Sequence, residues 1–203
     1  MSPLFRGLRS AGLAVIACLT LSGCLSMKFY VDPALPTIAK SELVPPSPQH
    51  PAHVLFEFRS KGSANTTATS QLRGQVVAAV AESGLFSSIS PAAGDTDAGQ
   101  LKIVIDNVPL TENAAAKGFG TGLTFGLAGS QVTDGYTCVV SYTRGDKTTT
   151  ATVKHALHST IGNHSGPAGL TAMPAQDAIN QVMQQMVWNA LKELNDKQAF
   201  ASE

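Results

Sequence analysis

Five histidines and three cysteines are the residues of this chain best suited to metal or nucleophile chemistry. Their spacing argues against both. His155 and His158 lie three apart in a stretch that reads as a β-strand, so they point to opposite faces and cannot share an ion. His50 and His53 stand at the end of a proline-rich stretch and His164 in a glycine-rich one, leaving His158 with His164 as an adventitious pair at best. Neither a Cys/His cluster nor H-E-x-x-H occurs. Gly162-Asn163-His164-Ser165-Gly166 places its serine one position late for a G-x-S-x-G elbow and lacks the flanking strand and helix. Asp106 and Asp134 bracket a glycine-rich segment without forming an evident general acid and base pair. Gly118-x-Gly120-x-Gly122 brings its third glycine one position early for G-x-G-x-x-G, and no lysine-serine pair follows it. These spacings predict no catalytic residue, no metal and no cofactor, so the chain is expected not to be an enzyme.

The elements that would position any site follow from periodicity. His53 to Ser60 alternates Val54, Phe56 and Phe58 against polar neighbours, which predicts a strand. Between Thr66 and Glu82, Leu72, Val76 and Val80 recur every fourth position and Ser83-Gly84 ends the pattern, which predicts a helix. Leu101 to Val108 alternates again. Gly135 to Arg144 and Thr148 to Ile161, joined by a turn at Arg144-Gly145-Asp146-Lys147, read as an antiparallel hairpin in which Cys138 is a small buried hydrophobe. Gly162 to Met173 reads as loop. From Pro174 a second helix carries an apolar stripe through Val182, Met183, Met186, Val187 and Leu191 to Leu194. Two one-sided helices need a shared apolar surface, and a sheet supplies it. The expected fold is therefore α+β, with a four-stranded, mainly antiparallel sheet, both long helices on one face, and a glycine-rich insertion between the second and third strands.

That insertion, Lys117 to Gly129, carries Phe119, Leu123, Phe125 and Leu127 on odd positions, with glycine or alanine on most even ones. Four large apolar side chains in a loop must be buried somewhere. They can fold over the domain's own sheet, pack on a partner or second copy, or enter a lipid interface. As site residues they are read here as partner or membrane contacts.

At the amino terminus, Arg6 and Arg9 precede the apolar stretch Ala11 to Leu19 and then Leu21-Ser22-Gly23-Cys24. This has the layout of a secretory signal. Nine apolar residues fall short of the roughly 20 that span a bilayer as a helix. Leu21 to Cys24 resembles the lipobox of bacterial lipoproteins, which implies cleavage before Cys24, diacylglycerol on its sulfur and an acyl chain on its new amino group. Several chains at about 0.8 kcal/mol per buried CH₂ suffice for stable anchoring. The next residue is Leu25, unlike the aspartate that resembles an inner-membrane retention signal, so the outer membrane, periplasmic side, is expected. Removal of Arg6 and Arg9 leaves 12 basic against 14 acidic residues, a formal charge of −2, with no basic cluster of the kind nucleic acid requires. Cys138 would then be the one free thiol, with no intrachain disulfide.

The chain thus divides into a signal peptide (1–23), a lipidated cysteine with a proline-rich tether (24–52) holding six of the eleven prolines, and one α+β domain (53–203). In element order it resembles small periplasmic lipoprotein domains, among them the curli-secretion lipoprotein and the amino-terminal domain of the Tol-system propeller protein. The expected function is that of a non-catalytic cell-envelope lipoprotein, a binding or assembly module with an envelope protein partner or a second copy of itself. The alternative is a transport accessory carrying a lipid or acyl chain in a groove between helices and sheet.

Overall fold

Strand alternation and helix periodicity decide which surfaces meet. The computed structural model describes residues 26–90, 98–110 and 130–201. In chain order they form β1 (Met27–Val31), a 3-10 turn (Lys40–Glu42), β2 (Ala52–Ser60), β3 (Ser63–Ala64) and α1 (Thr66–Ser83). β4 (Ile89–Ser90), β5 (Gly99–Pro109), β6 (Ser130–Arg144), β7 (Lys147–Ile161) and α2 (Ala175–Asp196) follow.

One sheet has the order β1-β7-β6-β5-β2-β3, with β4 added against β2. β2 and β5 are parallel, Val54 opposite Leu101 and Phe56 opposite Ile103, because α1 makes the crossover between them. The pairs β5–β6, β6–β7 and β1–β7 are antiparallel. The expected four-stranded, mainly antiparallel sheet is thereby corrected: the sheet is mixed and seven-stranded, and only the broad α+β class holds. The reasons are physical. β3 and β4 have two residues each, too few for a period to show, and β1 comes from the stretch read as tether. Ile38 and Leu43, also from that stretch, are buried in the core.

Alternate residues of the long strands turn to one face, where Phe56 and Phe58, Ile103 and Ile105, Cys138 and Val140, and Ala151 and Leu157 are buried. The helices cover that face with Val76, Ala79 and Val80 from α1 and Val182, Met183, Met186, Val187 and Leu191 from α2. α1 is held at its start by the Asn65 side chain, which accepts from the Ala68 N–H at 3.0 Å, and at its end by Gly84 in the left-handed region (φ 71°). Gly99 allows a close approach: a Cβ there would collide with the Tyr142 ring. That ring packs edge-on against Phe200 at 4.9 Å and beside Phe86 at 5.9 Å, closing the core at the carboxyl end. The opposite face is mixed: cross-strand hydroxyl pairs at Ser141–Thr150 (3.0 Å) and Thr143–Thr148 (2.8 Å) share it with the exposed Leu55 and Val108 and the Val104–Val139 pair.

Candidate functional site: the groove between the helices

The side of α2 adjoining its apolar stripe carries Asp177, Gln181 and Gln184, a spacing of four and three that aligns them along the helix. α1 presents Gln75, Ala78 and Glu82 at three and four. The two rows face each other across a groove of about 540 Å³, whose remaining walls come from Ala79, Asn180, Gln185 and Thr37. At one point the helices are tied directly, the Trp188 indole N–H donating to the Ala79 carbonyl at 2.8 Å.

The floor is a chain of hydrogen bonds leading under α2. Gln185, buried, donates through Nε2 to Thr37 Oγ1 at 2.8 Å, so its Oε1 faces His155 Nε2 at 2.7 Å. His155 must therefore donate from Nε2, which leaves Nδ1 as a bare acceptor. That nitrogen is buried with no partner among the described residues. Burial lowers the His155 pKa and prevails over the Gln185 hydrogen bond and the Asp32 charge, which pull it up. A proton on Nδ1 would have nothing to bond, so the ring is held neutral. Gln75 Oε1 is likewise buried and unpaired among the described residues.

A second cluster lies on the opposite face. His158 meets the Asp32 carboxylate through Nε2 at 3.0 Å and the Thr133 hydroxyl through Nδ1 at 2.9 Å. The order hydroxyl, imidazole, carboxylate is that of a nucleophilic triad. Its placement is that of a clamp: Thr133 and His158 are directly opposed partners in the β6–β7 ladder, and Asp32 immediately follows β1. Burial works against the Asp32 carboxylate. The Ala34 N–H at 2.8 Å and the contacts with His158 outweigh it and hold that carboxyl below its ordinary range.

His155 and His158 do face opposite sides of β7, as strand spacing requires. His53 Nδ1 bonds the Ser90 carbonyl at 3.1 Å, and His164, exposed, bonds the carbonyl of Ser165. Asp106 accepts from the Gly62 N–H at 3.0 Å, a turn-forming role. Cys138 is fully buried, and burial pushes its thiol up to about 12, far from a reactive thiolate. Cys24, the signal segment and the insertion residues Phe119, Leu123, Phe125 and Leu127 lie outside the described residues. Sequence reasoning did not single out the groove, although its signal was present: amides and carboxylates repeat at helical spacing beside the apolar stripe of α2 and again on α1.

No family model and no curated protein matches this chain. Among solved structures, a dodecamer of a PelC variant from Paraburkholderia phytofirmans aligns with a TM-score of 0.35 and 12% identity, over 83% of this chain and 98% of that one. An uncharacterized protein aligns with a TM-score of 0.34 and 8% identity, over 77% and 95%. Neither likeness carries a functional conclusion.

Proposed function

We propose that this chain is a lipid-anchored, non-catalytic cell-envelope lipoprotein that acts as a binding or assembly module on the periplasmic side of the outer membrane. The observation that carries the reading is Leu21-Ser22-Gly23-Cys24, directly after a short apolar run with a basic start. Acyl chains on Cys24 fix the protein to the membrane, and the folded domain engages an envelope protein or a second copy. Phe119, Leu123, Phe125 and Leu127 are the proposed contacts, supported by the cost of leaving four such side chains in water.

Lipid carriage between helices and sheet has less support. That space is filled by Leu101, Ile103, Ile105, Met186, Val187 and Leu191, all with no measurable exposure. The groove on the outer side is lined largely by amides and carboxylates, poor company for an acyl chain.

Growth in radioactive palmitate tests the anchor. The wild-type chain is expected to be labelled and membrane-bound, and Cys24→Ala to lose both properties; unchanged labelling of that variant rejects the assignment. Crosslinking in intact cells tests the module, with discrete partner bands expected to disappear when the four insertion residues are made polar.

A further inference from the structure

We propose that the groove between α1 and α2 binds an extended, lysine- or arginine-bearing peptide segment of a partner protein. The inference rests on reading the chain as a binding module but not on its anchor. Three observations converge on it. The first is charge: Glu82 and Asp177 line opposite walls, both exposed, and among the described residues no lysine or arginine lines the groove. Its ligand should bring the missing cation.

The second is hydrogen-bonding type. Gln181 and Gln184 each carry an acceptor oxygen and two N–H donors, Asn180 carries two N–H donors while its oxygen already accepts from Gln176 Nε2 at 3.0 Å, and the Gln75 oxygen is buried without a partner among the described residues. A peptide backbone alternates donor and acceptor and can satisfy both halves of such amides. A bare polyamine has donors only, so it would leave the amide N–H groups unmatched. A sugar ring presents an apolar face that calls for an aromatic platform, and none of the lining side chains is aromatic.

The third is room for close approach. Ala78 and Ala79 keep the α1 wall low, and one turn earlier Gly74 is exposed with nothing within 4 Å of where its Cβ would be. Glycine inside a helix is unfavourable, and no contact among the described residues offsets it. A backbone laid along that wall would use the bare surface. The groove volume of about 540 Å³ falls within the usual size of ligand sites, about 300–1,000 Å³.

Fluorescence anisotropy with the full chain in non-ionic detergent at low salt tests this. The probes are a short labelled peptide of alternating lysine and serine, its glutamate-serine counterpart, and unlabelled glucosamine hexamer as competitor. The lysine peptide is expected to bind saturably and the glutamate peptide not to bind. The double substitution Glu82→Gln with Asp177→Asn should weaken binding about tenfold or more, and Ala78→Trp, which fills the groove, should do likewise. All three positions are exposed, so folding is not at stake. No binding of the lysine peptide, equal binding by wild type and both variants, or binding of the glucosamine hexamer with that same dependence in place of the peptide would each overturn the proposal. Such a result leaves palmitate labelling and the in-cell crosslinks untouched, so the two readings fail separately.

Discussion

His158 stands three positions after His155 on β7, yet the first faces the helix layer and the second the opposite side of the sheet. His155 is sealed beneath α2, its ring has one hydrogen-bond partner among the described residues, and burial favours its neutral form. His158 is partly open, uses both ring nitrogens and shares a carboxylate with the edge strand β1. The same residue type on one strand serves two purposes because the strand's period of two assigns each to a different environment. The helix side is where packing sets stability, and the other side is where polar pairing fixes the edge.

That contrast breaks most visibly in the core. Ile103→Ala, at a fully buried position between Phe56 and Val140, is expected to cost about 2–5 kcal/mol. Leu55→Ala, on the other face of the sheet and 37% exposed, should cost less than about 1 kcal/mol. Urea unfolding of the two variants checks both values. Similar losses would mean that the opposite face is covered by something that packs as tightly as the helices.

Next in size is the clamp. His158→Ala leaves the Asp32 carboxylate and the Thr133 hydroxyl without their common partner and should cost about 1–3 kcal/mol. Amide exchange is expected to quicken at Phe29, Tyr30 and Val31 more than in β5, because the loss falls on the outer strand. Uniform quickening across the sheet would remove the distinction between a clamp and ordinary packing.

How much of this could be read from the chain depends on element length. The longer strand and helix patterns correspond to elements of the fold, β2, α1, β5, the β6–β7 hairpin and α2, although β6 begins at Ser130 and not at the expected Gly135. β1 was hidden because Met27 to Val31 has only five residues and sits before a run of prolines that favours a tether reading. Its membership is decided by pairing with Leu157 to Ile161, a contact across more than a hundred residues that no local pattern encodes. The clamp was illegible for the same reason, since Asp32, Thr133 and His158 meet only after β1 docks. The groove was half-legible: polar residues at helical spacing are visible on α2 as Asp177, Gln181 and Gln184 and on α1 as Gln75 and Glu82, but which sides face each other is set by helix packing.

His155 and Asp32 also separate by pH. In the unfolded chain His155 titrates near its ordinary value, 6.5, and in the folded protein at a lower one because of burial. Between those values the unfolded chain binds the extra proton, so stability falls as pH drops below 6.5 and levels off once the folded ring also takes a proton. The Asp32 shift is downward as well, so its contribution is present above the ordinary carboxylate value of 3.8 and is lost as pH falls from there through the folded value. His155→Gln should therefore flatten the stability profile as pH falls below 6.5, and Asp32→Asn should flatten it as pH falls below 3.8. Denaturant midpoints measured across that range decide the matter. A His155→Gln profile parallel to wild type would place the acid sensitivity elsewhere.

The smallest expected effect returns to the helix layer. Gly74→Ala replaces glycine in an exposed helix interior where a Cβ meets nothing, and it should stabilise the protein by about 0.5–1 kcal/mol. For a chain of this size that corresponds to a rise in Tm of about 1–4 °C. Gly99→Ala is the control, since its Cβ would strike the Tyr142 ring and should destabilise by about 1–3 kcal/mol. If Gly74→Ala instead lowers Tm, the glycine answers a need inside the fold, and the bare wall of the groove loses its meaning as a place kept open for another chain.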